Sequence, residues 1–227
     1  MEITLVKNTF YFTYIFLITT GTICFIEALR NSNPKIRHIM NLETCISVVA
    51  GYFYSLFVDK LNKAEKLNEE SDKKQELPFE EINDTRYTDW VISTPLMLLV
   101  LCLVLGMENK KIVNFWNFIL ILAMNFLMLG SGYLGEVNTL SKNMANLIGF
   151  GFFAGVFGTI WNTFMSGKRT FNSLIIYLLF VILWAFYGVL YQSDTLTKIF
   201  GYNILDLISK AFIGIFFWLY LTKSVKF

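Results

Sequence analysis

The sequence predicts an all-α membrane protein, a seven-transmembrane-helix bundle formed by a single domain of residues 1–227. The first observation is composition: 55% of the residues are hydrophobic, 16% are charged and the mean hydropathy is +0.53. A soluble core cannot use so much apolar surface. The second observation is that seven apolar stretches approach the roughly 20 residues that cross about 30 Å of hydrocarbon. These stretches use nearly the whole chain, which leaves no room for a second domain.

The seven predicted spans follow one another along the chain. They are residues 8–29, 42–58, 87–105, 112–134, 144–164, 174–190 and 203–221. The first span has no basic region before it and no small-residue cleavage site after it, so we expect a retained helix and not a removed signal peptide. Ionisable residues inside the second, third and seventh spans are the candidates for function, whereas Glu27 of the first span, close to Arg30, is expected to form an interfacial ion pair.

Basic residues predict the orientation of the bundle, because Lys and Arg accumulate in cytoplasmic loops. They follow the first, third, fifth and seventh predicted spans: Arg30, Lys35, Arg37, Lys110, Lys111, Lys168, Arg169, Lys223 and Lys226. We therefore expect an integral, multi-pass membrane protein with an extracellular N-terminus and a cytoplasmic C-terminus.

Between the second and third spans, the sequence predicts an extracellular loop of residues 59–86. Residues 59–84 contain five lysines and nine acids, and Pro78 lies near their end. This composition is typical of a solvated segment. A spacer without a function of its own is the simpler interpretation.

Other kinds of chemistry have little support in the sequence. Cys24, Cys45 and Cys102 all fall inside predicted spans and offer neither a disulfide framework nor metal-ligand spacing. His38 is the only histidine and has no partners for a metal site. Since no nucleotide-binding glycine loop and no set of nucleophile, base and acid can be assembled, we expect neither an enzyme nor a metal protein. A nucleic-acid partner is not expected either.

Lys210 is the most informative residue, because it lies inside the seventh span with Asp206 one helical turn before it. An ammonium group at the centre of a bilayer costs roughly 2.5 to 3.5 kcal/mol, so such a residue indicates a function. A desolvated lysine can condense with an aldehyde to form a Schiff base, which would imply a covalent cofactor. Arg86 and Asp89 in the third span would complete a near-neutral buried group. Alternatively, these four residues pair only to hold helices together.

Motifs on four helices resemble the microbial (type I) rhodopsins, seven-helix proteins with retinal bound in the centre of the bundle. Residues 86–96, Arg-Tyr-Thr-Asp-Trp-Val-Ile-Ser-Thr-Pro-Leu, resemble the most specific signature of that family. Residues 184–187, Trp-Ala-Phe-Tyr, resemble its sixth helix, and Asp206 and Lys210 have the spacing of its seventh. Residues 132–136, Gly-Tyr-Leu-Gly-Glu, resemble the proteorhodopsin branch. The short length and the composition rich in Asn, Lys and Ile resemble the rhodopsins of giant algal viruses.

The resemblance implies a cofactor, all-trans retinal joined to Lys210 as a protonated Schiff base. It also implies that Asp89 is the primary counterion and proton acceptor, that Asp206 is the second counterion, and that Arg86 organises water on the extracellular side. The implied retinal pocket combines flat aromatic walls with a glycine where a side chain would clash. Its residues are Trp90, Thr94, Met97, Met128, Gly132, Trp184 and Tyr187. Phe152, Phe153 and Phe157, in a chain this rich in Phe, are expected to face lipid or to fill the core.

The resemblance leaves three modes of action open. Val100 occupies the position where outward proton pumps of the family carry an acidic proton donor, so a pump here would be weak. Glu43 begins a small and polar face of the second helix, with Ser47 and Tyr54, that could hold water for cation flow. Alternatively, Glu43 is an interfacial acid near the start of its helix.

We therefore expect a light-activated ion transporter, with a light-gated cation channel as the first hypothesis for its mode of transport. A weak outward proton pump is the alternative, and a sensory photoreceptor is the third hypothesis. The expected partners are the lipid bilayer, the transported cations or protons, and further copies of the chain in a homo-oligomer.

Overall fold

The computed structural model describes residues 3–70 and 77–223, and all regular secondary structure in these ranges is helical. Seven helices are long and apolar enough to cross a membrane. The first six spans are α1 (Ile3–Arg30), α2 (Pro34–Glu70), α3 (Phe79–Glu108), α4 (Phe115–Glu136), α5 (Lys142–Ile160) with a π-helical turn (Trp161–Met165), and α6 (Phe171–Leu190). The seventh span consists of α7 (Thr195–Asp206), a π-helical turn (Leu207–Phe212) and α8 (Ile213–Thr222). The predicted all-α, seven-helix membrane fold is confirmed.

Each predicted span overlaps one observed helix, and most of the helices extend beyond it, because hydropathy marks only the part of a helix that lies in hydrocarbon. The difference between a predicted span and the observed helix is largest after residue 58. There, α2 continues to Glu70, and α3 already begins at Phe79. The prediction of a loop over 59–86 is therefore wrong for residues 59–70 and 79–86, which are helical. Residues 71–76 lie outside the described residues.

Contacts from both neighbouring helices brace the extended end of α2. Lys7 of α1 forms an ion pair with Glu65. On the side of α3, Lys60 Nζ lies 2.6 Å from Glu81 Oε1. Alternating charge predicts a solvated segment, but it does not show which partners those charges will find. Here the partners lie on other helices, so the charged segment remains helical.

The seventh span changes from an α-helix to a π-helical turn around Lys210. Side chains of α1 bond to backbone carbonyls on both sides of this residue. Thr13 Oγ1 donates to the Asn203 carbonyl at 3.0 Å, and Thr20 Oγ1 donates to the Ala211 carbonyl at 3.2 Å. π-helical turns inside α-helices are frequent at functional sites. The turn therefore marks this part of the bundle as a candidate site.

The interior of the bundle has two different halves. Apolar side chains fill the half in which α3 ends, among them Cys24, Ile39, Met40, Leu98, Leu101, Leu105 and Phe217. The other half contains a buried group of four charged residues: Arg86, Asp89, Asp206 and Lys210. Because charges are buried only at a cost, this group is the first place to look for function, and Glu43, an acid buried in the apolar half, is the second.

Candidate functional site

Lys210 lies at the centre of the bundle between the two aspartates. Its Nζ is 2.6 Å from Asp89 Oδ2 on α3 and 3.3 Å from Asp206 Oδ1, one helical turn earlier in the seventh span. All three side chains are at most 1% exposed. A charged amine in such surroundings requires close anionic partners. The structure thus brings together three residues that the sequence singles out on two different helices.

Asp206 is surrounded by hydrogen-bond donors. Its Oδ2 accepts from Arg86 Nη1 at 2.8 Å and from Tyr54 Oη at 2.9 Å. Its Oδ1 accepts from Tyr187 Oη at 2.8 Å and, at a longer 3.4 Å, from Trp90 Nε1. Donors that point at a carboxylate stabilise its negative charge. The site therefore stabilises Asp206 as a permanent anion next to the lysine.

Asp89 has a much poorer set of donors. Its Oδ2 accepts the hydrogen bond from Lys210 Nζ, whereas its Oδ1 is buried without a hydrogen-bond partner among the described residues. A buried carboxylate with few donors gains most from accepting a proton. The two aspartates therefore differ in chemistry: Asp89 is suited to take a proton from the lysine nitrogen, and Asp206 is suited to remain charged.

Polar and aromatic neighbours hold Arg86 in one place. In addition to the bonds from Nη1, its Nη2 donates to Asn203 Oδ1 at 2.7 Å. Four aromatic rings surround the guanidinium carbon at 5.2 to 5.9 Å from their centroids: those of Phe10, Tyr54, Phe57 and Tyr202. Desolvated cation–π contacts contribute about 2 kcal/mol or more. Tyr54, which the sequence assigns to a polar path with Glu43, is instead a partner of Arg86.

A cavity between α3, α4, α5, α6 and the seventh span opens directly onto Lys210 and Asp206. The residues predicted from the resemblance to form a retinal pocket all line this cavity: Trp90, Thr94, Met97, Met128, Gly132, Trp184 and Tyr187. Apart from the charged pair at its end, its lining is mainly aromatic and aliphatic. Such a cavity suits a mostly apolar ligand that is held by a few polar groups.

Sequence reasoning missed part of the cavity wall. Phe157 is buried in the apolar core and Phe153 packs against that core, as expected, but Phe153 also lines the cavity, as do Phe150, Tyr191 and Tyr202. The signal for these residues was weak, since the chain contains 23 phenylalanines and 11 tyrosines. Only the observed rotation of α5 shows which of its aromatic residues point inward.

Two glycines allow aromatic rings to approach the cavity closely. A Cβ atom at Gly132 would lie 3.0 Å from Tyr87 Oη, and one at Gly188 would lie 2.6 Å from Phe150 Cζ. Larger residues there would push these rings aside. The result is an aromatic-walled space that ends at a buried amine. The residues present therefore fit retinal, a rigid conjugated aldehyde, which is the group that the resemblance implies.

Glu43 lies on the other side of Lys210 from the two aspartates. Its Oε2 is next to Gly214, one turn after the lysine, where a Cβ atom would be only 3.1 Å away. Glu43 is 2% exposed and forms no hydrogen bond or ion pair within the described part of the chain. This burial does not fit an interfacial acid. Ser47, one turn further along α2, also has a buried hydroxyl without a described partner.

Comparison with known proteins finds a matching family model and similar solved structures. A family model described as "Bacteriorhodopsin-like protein" matches residues 5–224. The crystal structure of viral rhodopsin OLPVRII is 46% identical in sequence and has a TM-score of 0.87, with 98% of this chain and 100% of that one covered.

More distant relatives extend this similarity. Opsin-1 of Neurospora crassa is 30% identical over an alignment of 155 residues, which covers 60% of this chain. The match spans 48% of Opsin-1, about half of its length. A blue light-absorbing proteorhodopsin from Med12 shares the fold, with a TM-score of 0.73, 19% identity and coverage of 96% of this chain and 98% of that one.

Proposed function

Because the chain belongs to the bacteriorhodopsin-like family, we propose that it is a light-activated ion transporter whose retinal is attached to Lys210. The predicted relation to microbial rhodopsins, a viral one among them, is confirmed. Members of this family bind retinal through a Schiff base on a lysine. Lys210 supports the assignment, since it is buried and lines the end of the aromatic cavity. When bound, retinal supplies the absorption of visible light and a double bond that light isomerises.

Asp89 is the proposed acceptor of the proton on the Lys210 nitrogen. The 2.6 Å contact between Lys210 Nζ and Asp89 Oδ2 is a direct path for that proton. Asp206 is the proposed second counterion, and its bonds from Arg86, Tyr54 and Tyr187 keep it from competing for the proton.

Glu43 is the proposed source of the proton that returns to Lys210. Val100, at the usual donor position of the family, has no proton to give. Glu43 reaches the same half of the bundle from α2 and lies beside Gly214, about one turn or roughly 6 Å along the helix axis from Lys210. A carboxyl group that is buried without an ionic partner is suited to hold a proton until it is needed.

Proton transport is the function that the geometry supports best. The observation that carries this proposal is the placement of Asp89 and Glu43 on opposite sides of Lys210. A proton accepted by Asp89 and replaced from Glu43 moves through the bundle in one direction. With the N-terminus outside, as the basic loops predict, that direction is outward.

A light-gated cation channel, which the sequence favours, is the second candidate. Two buried hydroxyls without described partners, those of Ser47 and Ser93, support it because such groups attract water. Cation flow would also require Arg86 to leave its aromatic surroundings and the apolar side chains around Leu98 and Leu101 to separate. Protons need no such opening, which is why the channel comes second.

Voltage-clamped photocurrents distinguish these functions. A proton pump gives an outward current whose sign does not change with voltage or with the cation gradient. A photocurrent that reverses with the cation gradient would replace the pump by the channel. If retinal binds but no photocurrent flows, both transport functions are wrong and a sensory role takes their place.

Glu43→Gln is expected to slow reprotonation of the Lys210 nitrogen about a hundredfold, because glutamine cannot donate a proton as a carboxyl group does. The dark absorption band should stay in place, since Glu43 does not contact Lys210. Flash photolysis measures both the rate of reprotonation and the position of the absorption band. The matched control is Glu27→Gln, a buried acid that already pairs with Arg30 at 3.1 Å and should leave the rate unchanged. Equal rates in Glu43→Gln and the unmodified protein would remove Glu43 from the path.

A further inference from the structure

We infer that Asn203 is a positioning residue that holds Arg86 on Asp206 and so leaves Asp89 as the proton acceptor. This inference rests on the proposed function and adds to it a residue that decides between the two aspartates. Asn203 is fully buried in α7, one turn before Asp206. No hydrogen bond among the described residues joins its side chain to Lys210, and it is not one of the residues that line the cavity, so we expect its influence on proton transfer to act through Arg86.

The hydrogen bonds of Asn203 determine which way its amide points. Thr9 Oγ1 uses its one hydrogen to donate to the Val6 carbonyl at 2.6 Å. It can therefore only accept from Asn203, whose Nδ2 lies 2.8 Å away. The amide nitrogen is thus directed at α1, and the amide oxygen is directed at Arg86. Thr9 in this way orients a group on a helix 194 residues further along the chain.

The amide oxygen is one of the acceptors that hold Arg86, whose Nε is buried without a partner among the described residues. It accepts from Arg86 Nη2 at 2.7 Å, and Tyr54 Oη, which donates its one hydrogen to Asp206, lies 3.2 Å away. With Nη1 bonded to Asp206, both terminal nitrogens of the guanidinium have partners other than Asp89. Arg86 nevertheless lies three residues before Asp89, on the same face of α3. An orientation towards either aspartate is therefore open to it, and Asn203 selects one.

Loss of the Asn203 oxygen would leave a buried N–H of Arg86 without an acceptor. Asp89 Oδ1 is a buried acceptor that lacks a described partner, so it is the natural replacement. The charged groups that face Asp89 are Arg86 on α3 and Asp206 and Lys210 on the seventh span. Turning Arg86 towards Asp89 would stabilise the negative charge of Asp89 and oppose its acceptance of a proton.

The test is a pH titration of the visible absorption band of the full chain reconstituted with all-trans retinal. The colour change at low pH reports protonation of the acceptor Asp89. Asn203→Leu is expected to lower the midpoint of this change by about one pH unit or more, because Arg86 then approaches Asp89. Asn203→Asp should raise it by a similar amount, because a further negative charge lies nearby. A purely structural role would not give opposite shifts.

Two threonines of α1 provide a matched pair of variants. Thr9→Val removes the acceptor that orients the amide and should lower the midpoint, less than Asn203→Leu does. Thr13→Val removes a hydrogen bond to the backbone carbonyl of the same residue and should not change the midpoint. If Asn203→Leu does not fold, Asn203→Asp and Thr9→Val still decide the question.

The outcomes separate this inference from the proposed function. Coloured variants that all titrate at the midpoint of the unmodified protein would overturn the role of Asn203 and leave the retinal assignment intact. An equal shift in Thr9→Val and Thr13→Val would also overturn it, since packing alone would then explain the effect. An unmodified protein that stays colourless would overturn the proposed function, and this inference with it.

Discussion

Lys210→Ala is expected to yield a protein that remains colourless after incubation with all-trans retinal. The reason is that the amine at the end of the aromatic cavity is then missing, although the cavity itself remains. The substitution also leaves two buried aspartates with only Arg86 as a counter-charge, and breaking a buried ion pair costs about 3 to 5 kcal/mol. Absorption spectroscopy measures the colour, and thermal unfolding shows whether the protein is folded.

Charge balance and a second lysine provide the controls for Lys210→Ala. The double variant Lys210→Ala, Asp89→Asn restores the balance of the buried group, so it should be more stable than the single variant and equally colourless. Lys198, the other buried lysine of the described residues, pairs with Glu136 at 2.8 Å. Lys198→Ala should therefore keep its colour. A visible band in Lys210→Ala would exclude Lys210 as the attachment site.

Asp89→Asn is expected to form a coloured protein that no longer moves protons. Asparagine cannot accept the proton held 2.6 Å away on Lys210, so light-driven proton transport should fall about a hundredfold or more. The absorption band should shift to longer wavelength, because the positive charge at position 210 loses its nearest negative partner. Light-induced pH changes in a suspension of vesicles measure the transport.

Asp206→Asn distinguishes the two aspartates. It removes the carboxylate that binds Arg86, Tyr54 and Tyr187, so its main effect should be a loss of thermal stability larger than that of Asp89→Asn. Wild-type proton transport in Asp89→Asn, together with none in a folded Asp206→Asn variant, would reverse the assigned roles.

The helices and the central charges could be predicted from the sequence for simple physical reasons. A span of about 20 apolar residues leaves few alternatives to a membrane helix. A lysine and an aspartate one turn apart must share a helix face, so Lys210 and Asp206 are neighbours whatever the rest of the chain does. Their contact with Asp89 was suggested by the need to neutralise buried charge and by the resemblance to a known family, since no local rule brings α3 to the seventh span.

Interactions between distant helices could not be predicted. Tyr54 and Asn203 are polar residues on helix faces, which is equally compatible with a water path and with direct bonds to Arg86. Only the packing of α1, α2 and α3 around the seventh span shows that both residues bond directly to Arg86. The extension of α2 to Glu70 was missed for the same reason, because its ion pairs join residues far apart in the chain.

The central claim, that the amine of Lys210 carries retinal between two aspartates, is tested most directly by chemical trapping. The protein reconstituted with all-trans retinal is reduced with borohydride, digested and examined by mass spectrometry. The expected result is a retinyl group on the peptide that contains Lys210, with loss of the visible band on reduction in the light. A retinyl group on Lys198 or on any other lysine, with Lys210 unmodified, would contradict the claim.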